Sequence, residues 1–452
     1  MKSIPLPPLN RRHFLSFAAL GSGTVALAAC GGPSTAPPAA EAEETVLDFE
    51  GITPAAKIEF WSTHPGQSQD VENSLIEKFN SSQSEVKVKL VTAGADYEEI
   101  AQKFQTAQQG GKLPAVVLLS DVWWFRYYIN GSIIPLDGLL DQLEVDKADY
   151  RESLMADYQY EDKQWAVPYA RSTPLFYYNR DHFKAAGLPD RSPTTWEEFG
   201  EWAPKLMNAG IPGLQTAYQF PALAGYAGWS LQNHLWGYGG GWSDEWTITA
   251  DSPESVAAIQ WCQDAVFKHK WAGVSSKDAS ADLSAGAVSA TVSSTGSLVG
   301  VLKAAQFDVG VGFLPGGPES TDRVCPTGGA GLGIPSGVTK EEQLAAAMFL
   351  KFMGEPESTA EFSAATGYMP VRTSADMTAV LAASPLIKTA IDQLDVTRPQ
   401  DYARVFIPGA DLEIAKTAAA VLTQPGDVQT EMTKLKGTLE SMYQRDVEPN
   451  LA

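Results

Sequence analysis

From Lys57 to Leu119 the apolar residues switch repeatedly between a two-residue period and a period near four, a pattern few architectures accommodate. Lys57-Ile58-Glu59-Phe60-Trp61 reads as a strand, and Val71, Leu75 and Phe79 mark the buried face of a helix. Val86 to Val91 alternates with period two, Asp96 is placed to cap a helix carrying Tyr97, Ile100, Ala101 and Phe104 on one side, and Ala115 to Leu119 is a buried strand. That β-α-β-α-β order predicts a mostly parallel sheet with helices on both faces. The pattern returns further on. Leu175 to Asn179 is a strand, and Thr195 with Glu198 predicts a capping box for a helix bearing Trp196, Phe199 and Ala203. Pro204 is expected to kink that helix or end it early. Ser289 to Ser293 reads as a strand, Leu298 to Ala305 as a helix and Phe307 to Phe313 as another strand. Two α/β lobes account for this most simply.

Residues 1–29 contain Lys2, Arg11 and Arg12, no acid, and a small-residue apolar stretch from Phe14 to Ala29, too short and too rich in Gly, Ser and Ala to span a membrane. Asn10-Arg11-Arg12-His13-Phe14-Leu15 resembles a twin-arginine export signal, and Leu27-Ala28-Ala29-Cys30 resembles a lipoprotein cleavage site. The mature chain is therefore expected to begin at Cys30, with lipid on its sulfur as a membrane anchor. Residues 30–54, with Pro33, Pro37, Pro38 and Glu41 to Glu44, read as a flexible tether. Cys262 and Cys325 are read as free thiols.

The chain of 452 residues carries 33 Lys and Arg against 54 Asp and Glu, a net charge of −21 that becomes −24 once the three cations of residues 1–29 are removed. A nucleic-acid partner would require the opposite balance, because binding displaces cations from phosphates. No Gly-x-Ser-x-Gly elbow, Gly-x-x-x-x-Gly-Lys-Ser/Thr phosphate loop or His-Glu-x-x-His zinc pair occurs. His64, His182, His234 and His269 stand far apart, without metal-like spacing. Neither a metal, a cofactor nor a catalytic centre is implied.

Ligand-binding features are present instead. Tyr226, Trp229, Trp236, Tyr238, Trp242 and Trp246 are interleaved with glycines, a composition that suits a platform for sugar rings or a cage for a quaternary ammonium, and equally suits core packing. In Ser293-Ser294-Thr295-Gly296-Ser297 a strand gives way to a helix whose free N–H groups would favour phosphate. Thr327-Gly328-Gly329-Ala330-Gly331 offers backbone a ligand can approach closely, or simply a tight turn.

Trp165-Ala166-Val167-Pro168-Tyr169, Leu175-Phe176-Tyr177-Tyr178-Asn179, Phe183-Lys184-Ala185-Ala186-Gly187-Leu188 and Thr195-Trp196-Glu197-Glu198-Phe199 resemble the central signature of family 1 extracellular solute-binding proteins of ABC importers. Trp61 to Gln67, Pro168 to Pro174, Cys325 to Gly329 and Asp401 to Phe406 are similar to the actinobacterial branch of glycerol-3-phosphate-type binding proteins, whose members include a glycerophosphocholine binder. The resemblance implies a two-lobed, periplasmic-binding-protein-like α/β fold with ligand in the cleft between lobes. Lobe I would comprise 55–170 and 318–353, and lobe II 171–315 and 354–452.

The positions matching the family's site are Tyr97, Asp121, Ser172, Tyr226, Trp229, Ser294, Gly329, Tyr368 and Arg404. Arg404 would grip a phosphate in a locally positive pocket. Ser172, Ser294, Tyr368 and the N–H of Gly329 would complete that shell, while Asp121 and Tyr97, at the opposite end, would take glycerol hydroxyls or balance a choline. Without the resemblance Arg404 reads as half of a surface salt bridge, to Asp401 for instance. The resulting expectation is a monomeric, non-catalytic lipoprotein on the outer face of a bacterial membrane, delivering a glycerophosphodiester or glycerol 3-phosphate to an ABC permease. An oligosaccharide receptor and a secreted hydrolase are the alternatives.

Overall fold

Val116–Ser120 is buried at every position, as a continuous apolar run demands, and it lies in the middle of a five-stranded sheet. The structure, a computed structural model, describes residues 49–63 and 67–451. The expected export signal, Cys30, most of the tether and His64 fall outside the described residues. Those described belong to one compact unit beginning at Leu47.

Ten strands build two sheets: β1 (Lys57–Ser62), β2 (Lys87–Thr92), β3 (Val116–Ser120), β4 (Val167–Ser172), β5 (Pro174–Asn179), β6 (Thr216–Phe220), β7 (Ala272–Val274), β8 (Val288–Ser294), β9 (Val309–Gly312) and β10 (Gly328–Gly333). The first sheet has the order β2-β1-β3-β10-β4, and the second β7-β6-β8-β5-β9. In the first, β1 runs parallel to β2 and β3, while β10 is antiparallel to both β3 and β4. The second repeats this scheme, with β6 parallel to β7 and β8, and β5 antiparallel to β8 and β9. Each sheet is thus mostly parallel, as the alternating pattern predicts. The one reversed strand in each is the strand that enters from the other sheet: β4 passes through the fully buried Thr173 into β5, and β9 leads on to β10. These two crossings make the fold two-lobed.

Local details agree with the sequence except at three points. Asp96 accepts from the N–H of Glu99 and caps the helix Tyr97–Gly110, whose Ile100, Ala101 and Phe104 are buried. Thr195 caps Trp196–Asn208 through the N–H of Glu198, but the Glu198 carboxylate turns to the N–H of Thr194 at 2.6 Å and to Arg191, so the reciprocal half of the box is displaced by one residue. Pro204 does not end that helix, which continues to Asn208. Trp196, Phe199, Trp202, Ala203 and Leu206 are buried along it, and packing on both sides of the proline outweighs the roughly 3 kcal/mol that an interior proline costs. The strand expected over Phe307–Phe313 contracts to Val309–Gly312.

Two packing features bear on the site. Ala227–Gly237 is buried at every residue, which explains its aromatic and small-residue composition. His234 within it stacks on Trp196 at 4.1 Å and is driven by burial down to a pKa of about 3, so it is a neutral core residue. Cys262 and Cys325 are free and buried. Among the described residues, no helix is long and apolar enough to cross a membrane.

Candidate functional site

The carboxyl ends of parallel strands leave backbone and short loops facing the gap between lobes, where α/β proteins commonly bind ligands. Thr63 follows β1, Asp121 follows β3, Ser172 ends β4 and Ser294 ends β8, while the reversed β10 presents its first residues, Gly328 and Gly329, at the same level. These residues line one cavity of about 570 Å³, within the range of small-molecule sites. All nine positions expected at the site meet on its wall: Tyr97, Asp121, Ser172, Tyr226, Trp229, Ser294, Gly329, Tyr368 and Arg404.

Arg404 lies in the short helix Tyr402–Val405 and is 4% exposed. Its Nε donates to Asp411 Oδ1 at 2.9 Å, and its Nη1 donates to Gln400 Oε1 and to Asp121 Oδ2, the latter at 3.3 Å. Gln400 also donates to Asp121 Oδ2 at 2.7 Å. Burial pulls the Arg404 pKa down, but the carboxylates of Asp411 and Asp121 outweigh burial and hold it above the usual value. Nη2 meets no acceptor among the described residues and is the donor left for a ligand.

Three readings of this cluster are corrected. Asp121 is not at the opposite end from Arg404; it is a partner of the guanidinium, because a buried cation requires compensation. The pocket is also not locally positive: Arg404 is its one lining cation among the described residues, against Asp96, Glu98, Asp121 and Asp411. Nor is Arg404 bonded to Asp401. That carboxylate accepts from Trp236 Nε1 at 2.9 Å and from the N–H of Trp242 at 2.7 Å.

The aromatic stretch divides between the two roles considered for it. Tyr226 and Trp229 line the cleft, with ring centroids 6.4 Å apart, whereas Trp236 and Trp242 are buried and donate to Asp401 and to the carbonyl of Gly228. Trp246 packs among Phe125, Tyr402, Phe406 and Tyr443. Trp229 is held by its Nε1, which donates to the carbonyl of Thr327 at 2.9 Å, and a side chain at Gly328 would meet that indole at 2.5 Å.

Gly328 to Gly331 is sheet rather than a tight turn, with Thr327 linking it to the preceding short strand. Gly329 has φ of +109°, and a Cβ there would stand 2.1 Å from the carbonyl oxygen of Ala170, so only glycine fits. Its own carbonyl accepts from the N–H of Asp121 at 3.0 Å, which fixes the acid that faces Arg404. Ser294 ends its strand and accepts from the N–H of Gly296 at 3.0 Å. The Tyr97 and Tyr368 side chains are hydrogen-bonded to each other; burial raises the pKa of both, so both hydroxyls are neutral, one donating to the other.

A family model described as bacterial extracellular solute-binding protein matches residues 74–389. The chain belongs to this family of bacterial extracellular solute-binding proteins. Among solved structures, the solute-binding protein is similar to UgpB of Mycobacterium tuberculosis in complex with glycerophosphocholine. The two are 42% identical with a TM-score of 0.83, over 87% of this chain and all of that one. The sn-glycerol-3-phosphate-binding periplasmic protein UgpB of Yersinia enterocolitica is 30% identical over 335 residues, 71% of this chain and 75% of that protein. Maltose-bound MalE3 of Thermotoga maritima, 23% identical with a TM-score of 0.75 over 86% of this chain and all of that one, shares the fold.

Sequence reasoning missed Asp411, Gln400 and Leu412 of this solute-binding protein. Asp411 is an acid in the first turn of the helix Ala410–Leu422, an ordinary position for an acid near a helix dipole, and nothing in the sequence ties it to Arg404. Gln400, four residues before Arg404, has no pattern that sets it apart from a surface glutamine.

Proposed function

We propose that this solute-binding protein captures a glycerophosphodiester, with glycerophosphocholine as the best-fitting case and glycerol 3-phosphate as a related ligand, and delivers it to an ABC permease. The observation that carries the reading is the charge of the cleft: one arginine with a free donor stands among four acids and beside two aromatic rings. A zwitterion suits such a wall. Its phosphodiester would bond to Arg404 Nη2, Ser172, Ser294, Tyr368 and the N–H of Gly329, and its glycerol hydroxyls to Asp121 and Tyr97. The choline would sit against Tyr226 and Trp229, where cation-to-ring attraction contributes about 0.5 to 2 kcal/mol per contact. The glycerophosphocholine complex of the mycobacterial relative supports the same reading.

In this reading the protein is a non-catalytic monomer, tethered by lipid on Cys30 to the outer face of the cell membrane. We keep the lobe boundaries read from the sequence but assign residues 356–374 to the first lobe, a choice supported by Ser74 donating to Glu361 at 3.1 Å, Tyr169 packing on Phe362 at 4.5 Å and Arg151 Nε donating to the carbonyl of Pro370 at 2.9 Å. Tyr226 and Leu412, exposed by 47% and 43% at the cleft, would be covered as the lobes close on the ligand.

Calorimetric titration with glycerophosphocholine, glycerol 3-phosphate and maltose tests the proposal. Binding of glycerophosphocholine, recovered intact after long incubation, is the expected result. Heat with maltose alone would sink it in favour of a sugar receptor.

A further inference from the structure

Asp411 occupies the two places in this cleft that would otherwise attract an anion. Its Oδ1 accepts a hydrogen bond from Arg404 Nε at 2.9 Å, and it stands in the first turn of the thirteen-residue helix Ala410–Leu422; Gly409, which precedes that helix, and its residues Asp411 and Leu412 line the cavity. The seat is built for it: a Cβ at Gly228 would lie 2.2 Å from Asp411 Oδ1 and 3.0 Å from Arg404 Nε, so the helix opposite has no side chain there. The carboxylate is largely withdrawn from solvent, with its side chain 13% exposed. Arg404 with Asp121 alone would form a neutral pair, and Asp411 makes the cluster net negative.

We propose that Asp411 is a charge filter that favours phosphodiesters over phosphate monoesters, a role that rests on the functional reading above and names the residue behind its selectivity. A diester brings one negative charge to the cluster; a monoester brings nearly two at neutral pH. The second charge is attracted by one cation and repelled by two anions, and it must also be desolvated in the cleft, so it raises the free energy of the complex. The substitution Asp411→Asn would keep an oxygen for Arg404 Nε and remove that excess.

Titration of wild type and Asp411→Asn with glycerophosphocholine and glycerol 3-phosphate tests the filter. The expected result is that the wild-type preference for the choline diester over the monoester falls at least about tenfold in Asp411→Asn, because the monoester gains affinity. An unchanged ratio, or equal weakening of both ligands, overturns the inference while leaving the functional reading intact. Failure of wild type to bind either ester overturns both.

A wild-type measurement keeps the proposal falsifiable if Asp411→Asn does not fold. The methyl ester of glycerol 3-phosphate has the single charge without choline, and it should bind at least about tenfold more tightly than the monoester. Equal affinity for the two would refute a filter based on charge.

Discussion

Replacing Arg404 with methionine keeps the volume and removes the cation of a buried cluster, so it separates the electrostatic role of the residue from its packing. The Asp121 and Asp411 side chains are 8% and 13% exposed, and each lies within hydrogen-bond range of the guanidinium, at 3.3 and 2.9 Å. At an effective dielectric near 20, each pair is worth about 5 kcal/mol of attraction, much of it offset by the desolvation of the charges. Removing one partner of such a cluster typically costs about 3 to 5 kcal/mol, since the remaining charges stay buried. Urea unfolding of wild type, Arg404→Met and Arg404→Met/Asp411→Asn at neutral pH reads this out. Arg404→Met should lose about 3 to 5 kcal/mol, and adding Asp411→Asn should restore at least about 1 kcal/mol. A wild-type urea midpoint for Arg404→Met would refute the argument that these acids depend on the arginine.

Gly329→Ala should cost roughly 2 kcal/mol or more and weaken ligand binding, because φ of +109° and a backbone oxygen 2.1 Å from the new Cβ leave no room for it; wild-type thermal stability in that variant would show the backbone can move aside. Glu72 is 1% exposed and accepts from Ser62 Oγ at 2.6 Å and Tyr169 Oη at 3.2 Å, and burial raises its pKa from 4.5 to about 8 despite those bonds. The folded protein therefore keeps a proton that the unfolded chain releases above pH 4.5, and this one group makes stability fall by about 1.4 kcal/mol per pH unit up to near pH 8. Glu72→Gln should flatten the dependence of the urea midpoint on pH between 5.5 and 7.5, and an unchanged slope would show that Glu72 is ionised in the folded state.

The sequence was most legible where a period or a cap acts locally. The run from Lys57 to Leu119 predicts its strands and helices closely, and the parallel order follows from the lengths of the connections. Pro204 was misread because tertiary packing of Trp196 to Leu206 overrides a local breaker. The lining of the candidate cavity was legible through family resemblance: Tyr97, Asp121, Ser172, Ser294 and Arg404 come from distant segments that only the topology brings to one cavity. What was not legible is how those residues are wired. The distance from Arg404 to Asp121 depends on the register of β10 against β3 and on the Gly329 carbonyl that holds Asp121, and neither is visible in a single sequence.

A phosphate gripped by Arg404 is expected to sit in a locally positive pocket, and the cleft shows why the pocket need not be positive. A receptor must hold its binding groups in place before the ligand arrives. An arginine that is 4% exposed cannot stay there unpaired, so Asp121, Asp411 and Gln400 hold three sides of its position and leave Nη2 to the cavity. That same compensation sets the charge a ligand meets. With one acid the cluster would be neutral and indifferent to the second charge of a monoester; with two it disfavours that charge and tolerates a diester, most of all one that carries its own cation. Preorganisation of the arginine and discrimination among phosphates are then two consequences of the same pair of carboxylates.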